Sequence, residues 1–213
     1  MKFNEFKSSL SKVKNLALPG EDIQLKMAPV ERLRELKLQA KNQSSARRAG
    51  VMVLFYPDEN EITKLILILR KTYKGVHSGQ VGFPGGRYEM EDSDMQDTAL
   101  RETEEEIGIP RSHILVYKQL SEIYIPPSNF MVHPYLGITE QTPRFIPQES
   151  EVEALIEVPL LHFLDESIII TRKLTTSYAV DIEVPAFQLN DFVVWGATAM
   201  ILSEVRHLLK EVL

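Results

Sequence analysis

Three glutamates lie near the middle of the chain at spacings that place them on one side of a helix. Glu102, Glu105 and Glu106 are separated by three and four residues, and side chains so spaced are neighbours on a helix surface. Like charges at this spacing destabilise a helix by about 0.2–0.5 kcal/mol per pair. A hard divalent cation such as Mg²⁺ or Mn²⁺ would offset the repulsion, because both ions prefer carboxylate oxygens. A solvated acidic face is the alternative explanation.

A glycine-rich segment directly before this helix favours the metal interpretation. The sequence HSGQVGFPGGRY at 77–88 contains Gly79, Gly82, Gly85 and Gly86. Glycine lets the backbone adopt positive φ and approach a ligand closely. A glycine turn that leads into a helix carrying carboxylates predicts a site for a metal-bound phosphate.

The charge of the chain is concentrated in the same region. The 213 residues carry a formal net charge of −6, from 30 acidic and 24 basic side chains. Residues 89–106 contain nine acidic side chains against Arg101 alone, a charge of −8, so the remaining residues sum to +2. This distribution argues against a bulk nucleic-acid binder, which needs a basic footprint. The absence of cysteine excludes thiolate nucleophiles and cysteine-ligated zinc.

Short apolar runs and one amphipathic helix surround these segments. The runs at 49–56 and 63–69 flank a Pro-Asp-Glu-Asn turn and predict a β-hairpin. The acidic helix is predicted to be capped by Asp92 or Ser93 and to end at Gly108. Further strand-like runs lie at 114–125, 131–138, 152–158 and 168–194, and a last helix at 196–212. The predicted class is α/β or α+β around one sheet.

The first 45 residues differ from the rest in their hydrophobic pattern. Apolar side chains at helical spacing in 3–13 and again across 30–38 predict an N-terminal helical arm that packs on the main domain. A partly disordered lead is the alternative. The first residues lack the apolar stretch of a secretory signal, and the whole sequence lacks an apolar run of about 18–20 residues. We therefore expect no membrane association and a cytoplasmic location.

The segment GGRYEMEDSDMQDTALRETEEEIGI at 85–109 resembles the Nudix box of hydrolases that act on nucleoside-diphosphate-linked compounds. The matching residues are Gly86, Arg101, Glu102, Glu105, Glu106, Gly108 and Ile109. Asp92 stands where the box has its first glutamate, eight rather than seven residues separate it from Arg101, and Thr103 replaces an apolar residue. The coenzyme A diphosphatase branch of the family is similar in having the acidic residue and the longer spacing.

The residues upstream of the box also resemble that branch. LILILRKTYKGVHSGQVGFPGGRYEMED at 65–92 is similar to its signature, with Lys71 in place of serine and Glu89 in place of aspartate. Gly75 stands where the branch often has arginine, and Lys71 and Lys74 are the candidates to replace that contact. The likeness covers about residues 46–202. It implies a Nudix-type α/β/α sandwich around a mixed sheet at 46–213, preceded by the arm at 1–45.

The resemblance implies metal-assisted hydrolysis of a diphosphate bond. Glu102 and Glu106 would be the chief ligands of Mg²⁺ or Mn²⁺, with the carbonyl of Gly86 completing the shell. Glu105 would be a further ligand or the base that activates water. Divalent ions neutralise phosphate charge and lower the pKa of a bound water.

Arg101 and a later loop would complete the catalytic set. Arg101 would orient a carboxylate through a bidentate bond, or would act only as an ion-pair partner within the helix. A further glutamate comes from a later loop in many members of the family. Glu151 is the candidate, and Glu149 and Glu153 compete with it.

Substrate contacts are predicted around the glycine-rich segment. The candidates are Arg70, Lys71, His77, Gln80, Arg87 and Phe130. The cations would hold phosphates, although an ordinary surface position is the alternative for each. His77 has a structural hydrogen-bonding role as its alternative, and Phe130 would touch an adenine or a pantetheine arm from a lid at 125–130.

The leading functional hypothesis is hydrolysis of coenzyme A to adenosine 3′,5′-bisphosphate and 4′-phosphopantetheine. Within the same class, NADH, ADP-ribose or a dinucleoside polyphosphate is the alternative substrate. A non-catalytic sensor or RNA-binding module is the alternative from another class, and the intact RETEEE run at 101–106 argues against it. We expect a small-molecule substrate and no nucleic-acid partner, and the sequence leaves a homodimer open.

Overall fold

The structure is a computed structural model that describes residues 1–30, 45–72, 79–174 and 182–213. Most of the helical stretch predicted across 30–38 lies outside the described residues. Lys74, Gly75 and His77 also lie outside them.

The main sheet has eight strands and includes the predicted hairpin. Its strands are β1 Arg47–Pro57, β2 Thr63–Arg70, β3 Val81–Gly82, β4 Gly85–Arg87, β5 Ile114–Gln119, β6 Ile123–Ile125, β7 Phe130–Thr139 and β8 Val152–Pro159. Strands β1 and β2 pair antiparallel with Pro57 opposite Thr63, which confirms the hairpin. Strand β1 also pairs parallel with β7, whereas the other pairs are antiparallel, so the sheet is mixed.

Strand β1 is buried on both faces of this sheet. Successive side chains of a strand point to opposite faces, and here both sets are apolar. Val53 and Phe55 enter the core on one face, while Met52, Leu54 and Tyr56 enter the core on the other. A strand so buried lies at the centre of a layered fold.

Helices cover both faces. The described helices are α1 Phe3–Leu10, α2 Glu21–Gln24, α3 Met95–Ile107, α4 Leu160–Leu164 and α5 Gly196–Lys210. Helix α3 packs on one face through Met95, Ala99 and Ile107. Helices α1 and α5 pack on the other, giving the α/β/α layering that the resemblance to the Nudix family implied.

The run at 168–194 forms a second sheet, which differs from the single sheet expected. Strands β9 Ile169–Leu174, β10 Ile182–Leu189 and β11 Phe192–Trp195 pair antiparallel in the order β11-β10-β9. Short antiparallel runs joined by turns can extend an existing sheet or pair among themselves. The periodicity of the run is the same in both cases.

The first 30 residues share the core of the main domain. Phe6 is fully buried, and its ring centroid lies 5.0 Å from that of Phe55. Gln24 donates a hydrogen bond of 2.9 Å to the buried Glu204 of α5. The first residues therefore pack closely on the main domain as far as Ala28, while the domain boundary at 45/46 stays a prediction.

Among the described residues, no helix is long and apolar enough to cross a bilayer.

Candidate active site

Helix α3 begins one or two residues later than predicted and ends where predicted. Its N-cap is Asp94, whose carboxylate accepts a hydrogen bond of 2.8 Å from the backbone N–H of Asp97. The cap predicted at Asp92 or Ser93 is therefore wrong. At the other end Gly108 adopts the left-handed conformation, with φ of 75°. Aspartate and serine are both favoured at an N-cap and stand here in consecutive positions, so only the hydrogen-bond geometry shows which residue is the cap.

Strands β1 and β4 hold helix α3 close to the sheet. Gly50 of β1 pairs with Gly86 of β4. A Cβ atom on Gly50 would lie only 2.5 Å from the carbonyl oxygen of Met95. The absence of a side chain there lets the helix approach the sheet, so that its carboxylates meet the backbone of β4.

Glu106 is the most buried of the predicted metal ligands. Its side chain is 1% exposed, and its Oε2 atom accepts a hydrogen bond of 2.8 Å from the backbone N–H of Gly85. Its Oε1 atom is buried and lacks a hydrogen-bond partner, although the Nη1 atom of Arg70 lies 3.3 Å away. A buried carboxylate oxygen without a partner is costly, and a bound cation would satisfy it.

Burial shifts the titration of Glu102 and Glu106. The pKa of Glu106 is raised to about 7, chiefly by burial and also by the charges of Glu102 and Glu151, against the opposing effects of Arg70 and the Gly85 N–H. Burial also raises the pKa of Glu102, against the opposing effect of Arg101. Carboxyl groups whose charged forms are disfavoured mark a site that needs added positive charge.

The raised pKa of Glu106 predicts an unusual pH dependence of stability. In the presence of a chelator, the free energy of unfolding should fall by on the order of 3 kcal/mol as pH rises from about 4.5 to about 7. The sign follows because the folded protein binds this proton more tightly than the unfolded chain does. Urea titrations across this range measure the slope. The slope should flatten in Glu106→Gln, and an equal slope in that variant would contradict the assignment.

Arg101 joins three acidic side chains to the strand below. Its Nε and Nη2 atoms lie 2.8 Å and 3.0 Å from the two carboxylate oxygens of Asp92. Its Nη1 atom lies 3.0 Å from Glu102 and 3.2 Å from Glu105, and Nη2 also donates to the carbonyl of Arg87. These bonds hold the pKa of Asp92 well below its usual range. The guanidinium therefore fixes the carboxylates relative to β4.

Asp92 is the partner of Arg101 that sequence reasoning missed. It was considered as a helix cap, but it is 4% exposed and its Oδ2 atom also accepts a hydrogen bond of 2.8 Å from Thr98. Its place in the box, one residue farther from Arg101 than usual, was the available signal.

The loop that carries Glu151 is tied to both the helix and the sheet. Gln148 donates a backbone hydrogen bond of 2.9 Å to the carbonyl of Glu106, and Lys71 donates one of 2.8 Å to the carbonyl of Glu151. The carboxylate of Glu151 lies 3.9 Å from Arg70 and is near enough to raise the pKa of Glu102 and Glu106. Glu151 is exposed, like the competing Glu149 and Glu153, so its contact with Arg70 rather than its burial favours it.

The predicted substrate residues lie at different distances from the carboxylates of Glu102 and Glu106. Arg70 lies beside the carboxylate of Glu106. Lys71 is half-buried next to Arg70, and Arg87 is exposed on β4. Gln80 is half-buried, and its carbonyl accepts a hydrogen bond from the backbone N–H of Arg70. Phe130 is half-buried at the start of β7.

Phe130 has a neighbour that sequence reasoning missed. The guanidinium of Arg47 lies over its ring, 4.2 Å from the centroid, and also donates to the carbonyl of Ser128. These residues meet because β1 and β7 run parallel with Arg47 opposite Phe130. Only strand pairing brings them together, since they are far apart in sequence.

The donor set fits a hard divalent ion. Glu102, Glu106 and the carbonyl oxygens of Gly85 and Gly86 are oxygen donors of the kind that Mg²⁺ and Mn²⁺ prefer. Among the described residues, however, no three acidic or histidine side chains converge closely enough to enclose an ion. Glu105 instead pairs with Arg101, and its side chain is 52% exposed. The carboxylates are held by arginines in this arrangement.

Gly86 is needed for the position of Glu102. A Cβ atom there would lie 2.4 Å from the carboxylate of Glu102. Gly86→Ala should therefore keep the fold, because a flexible side chain can move, but lower Mn²⁺ affinity and turnover by about 10–100-fold. Gly82→Ala is the control, since the nearest atom to a Cβ there would be the Oγ1 atom of Thr198, at an ordinary contact distance of 4.0 Å. Equal Mn²⁺ titrations and rates for the two variants would contradict this role.

Comparisons with known proteins agree with the geometry. The family model of the NUDIX domain matches residues 46–175. The uncharacterized Nudix hydrolase NudL of Yersinia enterocolitica is 34% identical over 155 residues, which cover 70% of this chain and 73% of that one. The peroxisomal coenzyme A diphosphatase ndx-8 of Caenorhabditis elegans is 29% identical over 154 residues, covering 71% and 64%. The crystal structure of the Nudix hydrolase RenU from M. smegmatis has a TM-score of 0.53 at 15% identity and covers 79% of this chain and 88% of that one.

The fold and the carboxylate site together define a hydrolase that acts on pyrophosphate bonds. Glutamates of α3 face the glycine backbone of β4, and the matched family spans both elements. The chain belongs to the Nudix family, as the box at 85–109 predicted. Members of this family generally use divalent metal ions.

Proposed function

We propose that this protein hydrolyses the diphosphate bond of coenzyme A or its derivatives, giving adenosine 3′,5′-bisphosphate and 4′-phosphopantetheine. The observation that carries the proposal is the bidentate pair between Asp92 and Arg101. This pair uses the acidic residue and the spacing that resemble the coenzyme A diphosphatase branch. The C. elegans relative named as a coenzyme A diphosphatase supports the same substrate.

The metal ion is proposed to be Mg²⁺ or Mn²⁺. Glu102 and Glu106 would hold it together with the carbonyl of Gly86, and Glu105 would join them on leaving Arg101. When bound, a divalent ion supplies charge neutralisation at the phosphates and an acidified water. The unpartnered Oε1 atom of Glu106 supports this assignment.

The chain's own residues would supply positioning and proton transfer. Arg101 keeps Glu102 against β4 through a charge-assisted bond of 3.0 Å. Glu105 is half-exposed beside it and is our candidate for the base that takes the proton of the attacking water. Glu151, on the loop tied to α3, is the alternative base. Arg70, Lys71, Arg87, Gln80, His77 and Phe130 are proposed to contact the substrate.

A panel of diphosphates tests the proposal. Coenzyme A, NADH, ADP-ribose and diadenosine tetraphosphate would be incubated with the protein in Mg²⁺ or Mn²⁺, and products separated by chromatography. We expect coenzyme A to be cleaved with the highest kcat/KM, and Glu106→Gln to be inactive as the control. Faster turnover of NADH or ADP-ribose would favour the alternative substrates. Turnover of none of them would contradict the catalytic role.

The location and the assembly are also proposals. We propose a cytoplasmic protein that binds neither nucleic acid nor membrane, although the C. elegans relative is named peroxisomal. Cell fractionation tests the location. Light scattering during size-exclusion chromatography distinguishes a monomer from the homodimer that the sequence left open.

A further inference from the structure

Arg70 points into the carboxylate site from the end of strand β2. Its Nη1 atom lies 3.3 Å from the Oε1 atom of Glu106 and donates a hydrogen bond of 3.3 Å to the carbonyl oxygen of Gly85. Its Nη2 atom lies 3.9 Å from the carboxylate of Glu151. The guanidinium thus contacts the same kinds of oxygen that a divalent ion would use.

The two arginines of the site are held with different strengths. Arg101 makes contacts of 2.8 to 3.2 Å with Asp92, Glu102 and Glu105, and its side chain is 9% exposed. The contacts of Arg70 are 3.3 Å or longer, and its side chain is 25% exposed. Charge-assisted hydrogen bonds are normally about 2.7–2.9 Å. The guanidinium of Arg101 is therefore held tightly by its partners, whereas that of Arg70 makes only long, weak contacts.

The loose contacts leave Glu106 incompletely satisfied. Arg70 lowers the electrostatic cost of the buried carboxylate, yet the Oε1 atom of Glu106 has no hydrogen-bond partner of adequate geometry. Arg70 therefore offsets the charge of Glu106 without completing its hydrogen bonds, and a cation that contacts the Oε1 atom directly can displace it. A divalent ion at Glu106 would also repel the guanidinium.

We propose that Arg70 is an exchangeable cation of this site. It pairs with Glu106 and Glu151 in the metal-free protein, leaves them when a divalent ion binds, and becomes available to the substrate's phosphates. The proposal rests on the metal site in the proposed function. It adds that Arg70 weakens metal binding and strengthens substrate binding.

Mn²⁺ titration of the purified, metal-free protein tests the exchange without any turnover. Electron paramagnetic resonance of free Mn²⁺ gives the dissociation constant. Arg70→Gln should bind Mn²⁺ about tenfold more tightly than the unsubstituted protein, because the ion no longer competes with the guanidinium. The matched control is Arg111→Gln. Arg111 pairs with Asp97 and Glu104 on the same helix, outside the site, and its loss should leave the Mn²⁺ affinity within about twofold.

The steady-state KM for coenzyme A provides the second readout. It should rise by roughly tenfold in Arg70→Gln at saturating Mn²⁺, so the affinity for the metal increases while the apparent affinity for the substrate decreases. A residue with a merely structural role would weaken both. Mn²⁺ binding that is unchanged or weaker in Arg70→Gln would overturn the exchange, and an unchanged KM would overturn the phosphate contact.

A second variant at this position distinguishes the proposed exchange from an effect of misfolding. Arg70→Lys keeps the charge but lacks the planar fork that reaches Glu106 and Gly85 together, so its Mn²⁺ affinity should lie between those of Arg70→Gln and the unsubstituted protein. Affinity equal to or below the unsubstituted value would overturn the proposal. Mn²⁺ binding without hydrolysis of any diphosphate would refute the proposed function alone, since the exchange is measured without turnover.

Discussion

Glu106→Gln should lower turnover of the preferred diphosphate by about 1000-fold or more while the protein stays folded. Glutamine keeps nearly the same shape, so its side-chain oxygen can still accept the 2.8 Å hydrogen bond from Gly85. The variant lacks the negative charge that we propose holds the metal ion. The measurement is kcat at saturating Mn²⁺, with Mn²⁺ affinity determined alongside it.

The matched control for this prediction is Glu104→Gln. Glu104 lies on the same helix, is exposed, and pairs with Arg111 outside the site. Its substitution removes the same charge and should change kcat by less than about threefold. A Glu106→Gln enzyme that retains a tenth or more of its activity would refute the role of Glu106 as a metal ligand.

The thermal stability of Glu106→Gln separates chemistry from folding. The carboxylate is buried, and burial raises its pKa to about 7, so the neutral amide should be tolerated at least as well at pH 8 in a chelator. We expect a melting temperature equal to or above that of the unsubstituted protein. A large fall in melting temperature would mean that lost activity reports unfolding.

Arg101→Met should destabilise the protein by about 3–5 kcal/mol. Methionine fills a similar volume, but the carboxylate of Asp92 is 4% exposed and would lose both bonds to the guanidinium. A buried charge without a partner is costly, because desolvation is no longer compensated. Urea unfolding at neutral pH measures the loss. Turnover should also fall, since Glu102 and Glu105 lose the same partner.

Two further variants test the cause of that loss. Arg111→Met removes an exposed arginine from ion pairs with Asp97 and Glu104 and should cost less than about 1 kcal/mol. Adding Asp92→Asn to Arg101→Met should recover part of the stability, because the unpaired charge is then gone. Equal costs for the two arginine variants, or no recovery in the double variant, would contradict a buried ion pair.

The sequence was sufficient to predict the local features of the site. Hydrophobic periodicity identified the hairpin of β1 and β2 and the helix that carries Glu102, Glu105 and Glu106. These features follow from contacts within a few residues along the chain, and such contacts leave regular patterns. The box at 85–109 was sufficient to predict the family, which the match over residues 46–175 confirms. The individual catalytic roles stay predictions.

The tertiary structure decided the partners of the charged side chains. Asp92 was open to two roles from its position, and its burial against Arg101 excludes the cap, which Asp94 provides. Arg70 was predicted only as a phosphate contact, but it ends strand β2, which pairs with β8, and its guanidinium lies beside the carboxylates of Glu106 and Glu151. Partners of this kind come from distant segments, so no local pattern encodes them.

The sequence by itself determined that a glycine-rich turn leads into a helix with a row of carboxylates, and that the chain is a Nudix hydrolase. Only the tertiary structure decided which carboxylates each of the two arginines contacts. One arginine is buried with short bonds to Asp92, and the other is half-buried with long contacts to Glu106. Burial and distance set the strength of an ion pair, and both depend on how the sheet, the helix and the loop pack together.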